Sequence, residues 1–331
     1  MELTLTILLF LIGIVLIVKG GDFFVDAATW MAKVSGIPQV IIGATIVSLA
    51  TTLPEMLVSV IAAVDGKVDM AVGNAVGSVT ANIGLIMAIS LVFMPGAINR
   101  KDYVPKSVLM FCASLVIVAS GRAGSIDLFR SIFLITLFIL FLIENIRSTQ
   151  RSMSKNTAAL HAAESIAAVP GAASGADTEK SAALPNIVKF IAGAIGIVVG
   201  ANLLVNNGSE LARYIGISER IIGVTLVAVG TSLPELVTTI TAIIKKQSSL
   251  SIGNILGANI IDLTLILPVS MVCSGKQLPI AASSAALDFP ACLLVGCIAV
   301  IPMMITSRFK RWQGFALLAV YAVYLVLTCT A

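Results

Sequence analysis

Three acidic side chains, Glu55, Glu235 and Asp262, stand inside long apolar runs. A carboxylate at membrane depth is costly to place, and it is retained where it meets a partner, a proton or a transported ion. Glu55 and Glu235 each follow a proline, and their surroundings match. Gly43–Glu55 reads GATIVSLATTLPE and Gly223–Glu235 reads GVTLVAVGTSLPE. A second echo, GNAVGSVTANIGLI from Gly73 and GNILGANIIDLTLI from Gly253, sets Asn82 opposite Asp262. Every matched pair lies 180 positions apart. Hydroxyls crowd the same stretches: Ser48, Thr51, Thr52 and Ser78, then Thr231 and Ser232.

These side chains define a donor chemistry. Pro54 and Pro234 have no N–H, so the carbonyls of Ala50 and Gly230 lose their helical partners and the turn is expected to open. Such carbonyls are tolerated at membrane depth where protein or a water-filled cavity satisfies them. Carbonyls, hydroxyls and carboxylates are all oxygen donors, which suit Ca2+, Mg2+, Na+ or K+ over zinc or copper. Gly73-x-x-x-Gly77 and Gly253-x-x-x-Gly257 allow close helix approach. A lone proline is usually a kink, and a lone Gly-x-x-x-Gly usually packing. Their joint recurrence around a glutamate is hard to obtain from packing alone. Three carboxylates in one pocket balance three Na+. One Ca2+ leaves a single negative charge, which a proton can neutralise. Two loads competing for one ligand set is the physical basis of antiport. Asp22 and Asp26 differ: their matches are Asn202 and Asn206, so a lining or interfacial role is expected.

The elements that must position these groups follow from composition. Hydrophobic residues make up 58% of the chain and charged residues 11%, with a mean hydropathy of +1.05. That excludes a soluble domain of this length and predicts an all-α integral membrane protein. Hydropathy predicts about ten spans of ~20 residues or more, near 3–33, 37–64, 68–94, 105–121, 126–146, 186–214, 217–244, 249–273, 281–305 and 312–330. The first run lacks a basic leader and a small-residue cleavage site, so a retained helix is expected. Residues 1–146 and 186–331 read as two five-helix repeats, and 147–185, rich in Ala, Ser and Gly, as a flexible cytoplasmic linker. An odd number of spans forces the copies into opposite orientations. With both termini outside, lysine and arginine favour the cytoplasmic segments by more than two to one. The cysteines, none in a C-x-x-C pair, read as small buried hydrophobes, and the one histidine, His161, falls in the linker. The basic residues form no single patch, which argues against nucleic acid; the bilayer is the expected partner.

The residues Gly230–Glu235 (GTSLPE) and Ala50–Glu55 (ATTLPE) resemble the two α-repeats of the sodium/calcium exchanger family, within the calcium:cation antiporters. The resemblance spans about residues 5–145 and 186–330. It implies a plasma-membrane antiporter with four clustered cation sites, no bound cofactor and a monomer as the working expectation. By position, Glu55 and Glu235 would share Ca2+ with the carbonyls of Thr51 and Thr231. Ser78, Ser232, Glu235 and the carbonyl of Ala228 would form an outer Na+ site. Thr52, Glu55 and the carbonyl of Ser48 would form an inner one, and Asn82 with Asp262 a middle one. Helices 1 and 6 would slide across the other eight. The chain departs from the family pattern at Ala258, where the inner site has a hydroxyl, at Val79 and at Ala50.

Other readings are weaker on the residues. Proton-coupled Ca2+ antiporters carry an acid soon after the Gly-Asn of helices 3 and 8; here none follows until Asp262. K+ co-transport would turn on Asp262. An intramembrane protease needs a Ser–His or Asp–Asp pair, which neither His161 nor Asn82 supplies. A passive channel does not need an inverted repeat around one central site.

Overall fold

The computed structural model describes residues 2–166, 183–216 and 230–330. Ten helices carry the fold: α1 Glu2–Ser35, α2 Gln39–Val64, α3 Val68–Phe93, α4 Arg100–Ala123, α5 Leu128–Ile166, α6 Ala183–Tyr214, α7 Leu233–Ile244, α8 Ser248–Ser274, α9 Ser284–Thr306 and α10 Arg311–Thr330. Nine of them, all but α7, are long and apolar enough to cross a membrane among the described residues. The expected span 217–229 before α7 lies outside the described residues.

The surface is inverted relative to a soluble protein. Val15, Leu140, Ile195 and Val326 are exposed on the outer helices, while Ser48, Thr52, Thr80, Thr238, Asn254 and Thr264 are fully buried. Lipid, not water, suits that exterior, and the polar groups are turned inward, where Thr80, Thr238 and Thr264 each donate to the carbonyl four residues before them.

Four two-residue strands reveal the symmetry. β1 (Gly96–Ala97) follows α3 and pairs antiparallel with β4 (Arg308–Phe309), which follows α9. β2 (Ser125–Ile126) follows α4 and pairs with β3 (Leu278–Pro279), which follows α8. Because α3 and α4 run antiparallel through a short turn, their ends lie on opposite faces. The ends of α3 and α8, matched in sequence, therefore point to opposite faces, and the repeats are inverted. Each ladder joins one strand from each repeat.

Helices α1 and α6 form a tight antiparallel pair. A Cβ on Gly13 would meet the Gly200 carbonyl at 3.0 Å, and one on Gly20 the Gly193 carbonyl at 2.9 Å. Gly13 and Gly193 are repeat mates, as are Gly20 and Gly200, so the two contacts are one contact seen twice about the inversion axis. Small residues here let the backbones touch. The other helices enclose a core that includes Val76, Ile83, Met110, Leu256, Ile260 and Leu263.

Two expectations need correction. The fifth helix does not stop near 146 but runs to Ile166, because Arg147–Ile166 contains no proline or glycine and many helix formers; Pro170 and Gly171 are the first breakers. Within this extension Ser152 donates to the Gly36 carbonyl at 3.4 Å, tying it to the α1–α2 turn. Of the described free cysteines only Cys292 is buried, whereas Cys273 is exposed.

Candidate cation site

The matched motifs fold alike but not identically. In the first repeat α2 continues as α-helix through Pro54 from Ser48 to Val64, so the expected opening of that turn is not seen, although Pro54 still cannot bond the Ala50 carbonyl. In the second repeat Thr231 and Ser232 form a turn and helix resumes at Leu233, with Pro234 in its first turn. The residue four before each proline differs too: Ala50 in the first repeat, and Gly230, the last helical residue before the break, in the second. Gly230 also lies so close to α6 that a Cβ there would meet Val205 at 2.8 Å.

α3 and α8 carry the second motif. Each contains a π-helical turn, Asn82–Met87 and Asp262–Ile266, and each turn begins on the matched polar residue. A π turn inserts one residue into the helical ladder and occurs often at functional sites.

The four helices bury most of the predicted groups. Glu55, Glu235, Asp262, Asn82, Ser48, Thr51, Thr52, Ser78 and Ser232 are all buried. Thr52 donates to Glu235 Oε1 at 3.3 Å, crossing between repeats. Thr51 donates to the Ser48 carbonyl at 3.3 Å and to Asn254 Oδ1 at 3.3 Å. Both carboxylate oxygens of Glu55 and of Asp262 have no hydrogen-bond partner, and neither do Glu235 Oε2, Asn82 Oδ1 and Ser232 Oγ. Buried polar atoms are nearly always paired. A cluster of orphaned oxygens, with no cation side chain among those pairing with it, is the arrangement that accepts a positive ion. Among the described residues no three Asp, Glu, His or Cys side chains come close enough to hold one ion by themselves. An ion here must therefore draw on hydroxyl, amide or carbonyl oxygens as well.

Thr231 is half-buried, and Ala228 lies outside the described residues. Ala258 is fully buried and brings no side-chain oxygen. Sequence reasoning treated Asn74 and Asn254 only as parts of a motif. The structure gives Asn74 a supporting role, since it donates to the Glu55 carbonyl at 3.1 Å and to Ser59 at 2.9 Å. Its recurrence beside Gly73 and Gly253 was the available signal.

A cavity of about 600 Å³ runs beside these groups, touching Ser78, Thr231, Asn74 and the two prolines but none of the three carboxylates. It extends toward Met70 and Thr328, on the face where α1 begins. On the opposite face the helices are sealed: a Cβ on Gly257 would meet the Ala44 carbonyl at 2.6 Å, and Gly253 packs directly on Val40. Their mates Gly77 and Gly73 line the cavity instead.

The model of the sodium/calcium exchanger protein family matches residues 5–146 and 186–330. The chain belongs to the sodium/calcium exchanger family. Its match leaves out residues 147–185 and the two extreme ends. Among relatives of this family, the sodium/calcium exchanger MaX1 of Methanosarcina acetivorans is 28% identical over 98% of both chains. The inner membrane protein YrbG of Escherichia coli is 31% identical over 88% of this chain and 86% of its own. The solved structure of the sodium–calcium exchanger NCX_Mj, soaked with Na+ and Sr2+, superposes with a TM-score of 0.76 at 27% identity, covering 98% of this chain and 99% of that one. The exchanger family thus supplies the helical membrane fold found here.

Proposed function

We propose that this chain exchanges Na+ for Ca2+ across the plasma membrane by alternating access around the Glu55–Glu235–Asp262 pocket. The observation that carries this reading is the set of buried, unpartnered carboxylate oxygens at the junction of two inverted repeats. Family membership supports it.

Ca2+ binds between Glu55 and Glu235, with the carbonyls of Thr51 and Thr231. Na+ competes for the same carboxylates: at Ser78, Ser232 and the carbonyl of Ala228 on one side, at Thr52 and the carbonyl of Ser48 on the other. Asn82 and Asp262 make the middle site. Because Ala258 supplies no oxygen, the inner Na+ is held less firmly than a serine there would hold it. A filled pocket is nearly neutral and crosses between states; an empty one carries uncompensated charge that resists the passage. Inverted repeats supply two mirror-related conformations, and the glycine-seamed α1–α6 pair moves against the other helices to exchange them. The positive-inside bias supports both termini on the external face, the face toward which the cavity extends. No further subunit or cofactor is needed for this cycle.

The test is radioactive Ca2+ uptake into proteoliposomes loaded with Na+ and diluted into Na+-free buffer at equal pH. Uptake that requires internal Na+ establishes the exchange. Uptake only under an imposed proton gradient would transfer the chain to Ca2+/H+ antiport, and silence under both gradients would reject Ca2+ as cargo.

A further inference from the structure

The cation pocket uses neither Asp22 nor Asp26, which lie one helical turn apart on α1. Both reach Lys245, just beyond the end of α7. Its Nζ stands 3.2 Å from Asp22 Oδ1 and 2.8 Å from Asp26 Oδ1, and it donates to the Asp22 carbonyl at 3.1 Å. The lysine side chain is 23% exposed and the Asp22 and Asp26 side chains 43% and 60%, so water screens these contacts in part. The contact joins the α1–α6 pair to the rest of the molecule. It does so on the sealed face, opposite the cavity.

Inversion asks what stands at the matching places on the other face. Asp22 maps to Asn202, Asp26 to Asn206 and Lys245 to Asp65. Asn202 and Asn206 line the cavity. Asp65 has its ionic contact with Lys67, at 4.0 Å, and both are more than half exposed. The triad of two carboxylates around one ammonium therefore has no electrostatic equivalent across the axis. When the helix pair shifts so that the cavity face closes, two amides meet a carboxylate, and the ion pairs lost on one side are not regained on the other.

We propose that Asp22, Asp26 and Lys245 form a one-sided electrostatic latch that holds the sealed face closed and biases the transport cycle toward the conformation described here. This rests on the alternating-access reading above. A partly exposed ion pair is worth up to roughly fivefold in an equilibrium constant, so two pairs sharing one lysine bias the two states by about five- to tenfold.

The experiment uses full-length protein with its native cysteines replaced, in detergent solution so that a thiol reagent reaches both faces. Val58→Cys reports the cavity face; Thr238→Cys, its repeat mate, reports the sealed face. The read-out is the ratio of labelling rates at 238 and 58. Asp22→Asn with Asp26→Asn should raise that ratio about five- to tenfold. Lys245→Met should raise it as far, and all three changes together no further, because one interaction is lost in each case. Asp26→Lys combined with Lys245→Asp should recover part of the bias. An unchanged ratio in folded, monodisperse variants overturns the latch, and so do additive effects. If the double variant does not fold, Lys245→Met alone decides. Na+-driven Ca2+ uptake by the parent protein separates the two ideas: exchange intact with an unchanged ratio overturns the latch alone, whereas no exchange removes the reading on which it stands.

Discussion

Glutamine at position 55 or 235 preserves volume and one oxygen but removes the charge that an ion must balance. Glu55→Gln and Glu235→Gln are each expected to bring Na+-dependent Ca2+ uptake to background while leaving the helical signal intact; normal uptake in either would dismantle the site. Ala258→Ser adds one oxygen where the pocket has none, which should lower the Na+ concentration for half-maximal exchange roughly fivefold, the scale of one contact near 1 kcal/mol. A Na+ titration with unaltered midpoint would show that the inner ion finds its ligand elsewhere. At this scale the burial of the three acids was legible in the sequence, and the structure places Glu55, Glu235 and Asp262 inside. Carboxylates, hydroxyls and prolines repeated at a fixed offset mark a site because burial makes each of them costly. The partner of each hydroxyl was not legible: Thr52 bonds Glu235 across the repeat boundary, and such cross-repeat geometry exists only after folding.

Most helix boundaries were also readable, since charges, glycines and prolines punctuate the apolar runs; the end of α5 was not, because no breaker stands between Arg147 and Ile166. The π turns in α3 and α8 were not, because an inserted residue leaves the local composition unchanged. Nor was the uninterrupted course of α2 through Pro54, where tertiary packing overrides a local breaker. Element packing gives its own prediction. A side chain on Gly20 would strike backbone atoms of Ile197 and Gly193 at 2.8 and 2.9 Å, which cannot rotate away. Gly20→Val should therefore separate α1 from α6 and cost about 1–3 kcal/mol, read as a lowered unfolding midpoint in detergent. Gly296→Ala is the control: beyond its own stretch of helix nothing lies within 4 Å of the added methyl, and alanine favours helix by about 1 kcal/mol, so the midpoint should hold or rise. A midpoint unmoved by Gly20→Val would mean that the α1–α6 seam is looser than its geometry implies.

For the molecule as a whole, the two β ladders carry a consequence for biogenesis. Each takes one strand from the first repeat and one from the second, on opposite faces; the α1–α6 seam likewise needs both. A ribosome that has delivered only the first five helices has made half of a seam, half of each ladder and half of the pocket. None of the predicted ligands falls in the connection between the repeats. Residues 1–166 and 183–331 made as separate polypeptides in one cell should thus find each other in the bilayer and transport Ca2+, and co-purification of a tagged half with its untagged mate would register it. In that light the chain is a heterodimer whose subunits happen to be translated in tandem, and its two copies are free to diverge, Asp22 from Asn202 or Asn82 from Asp262, only as far as each still fits the other.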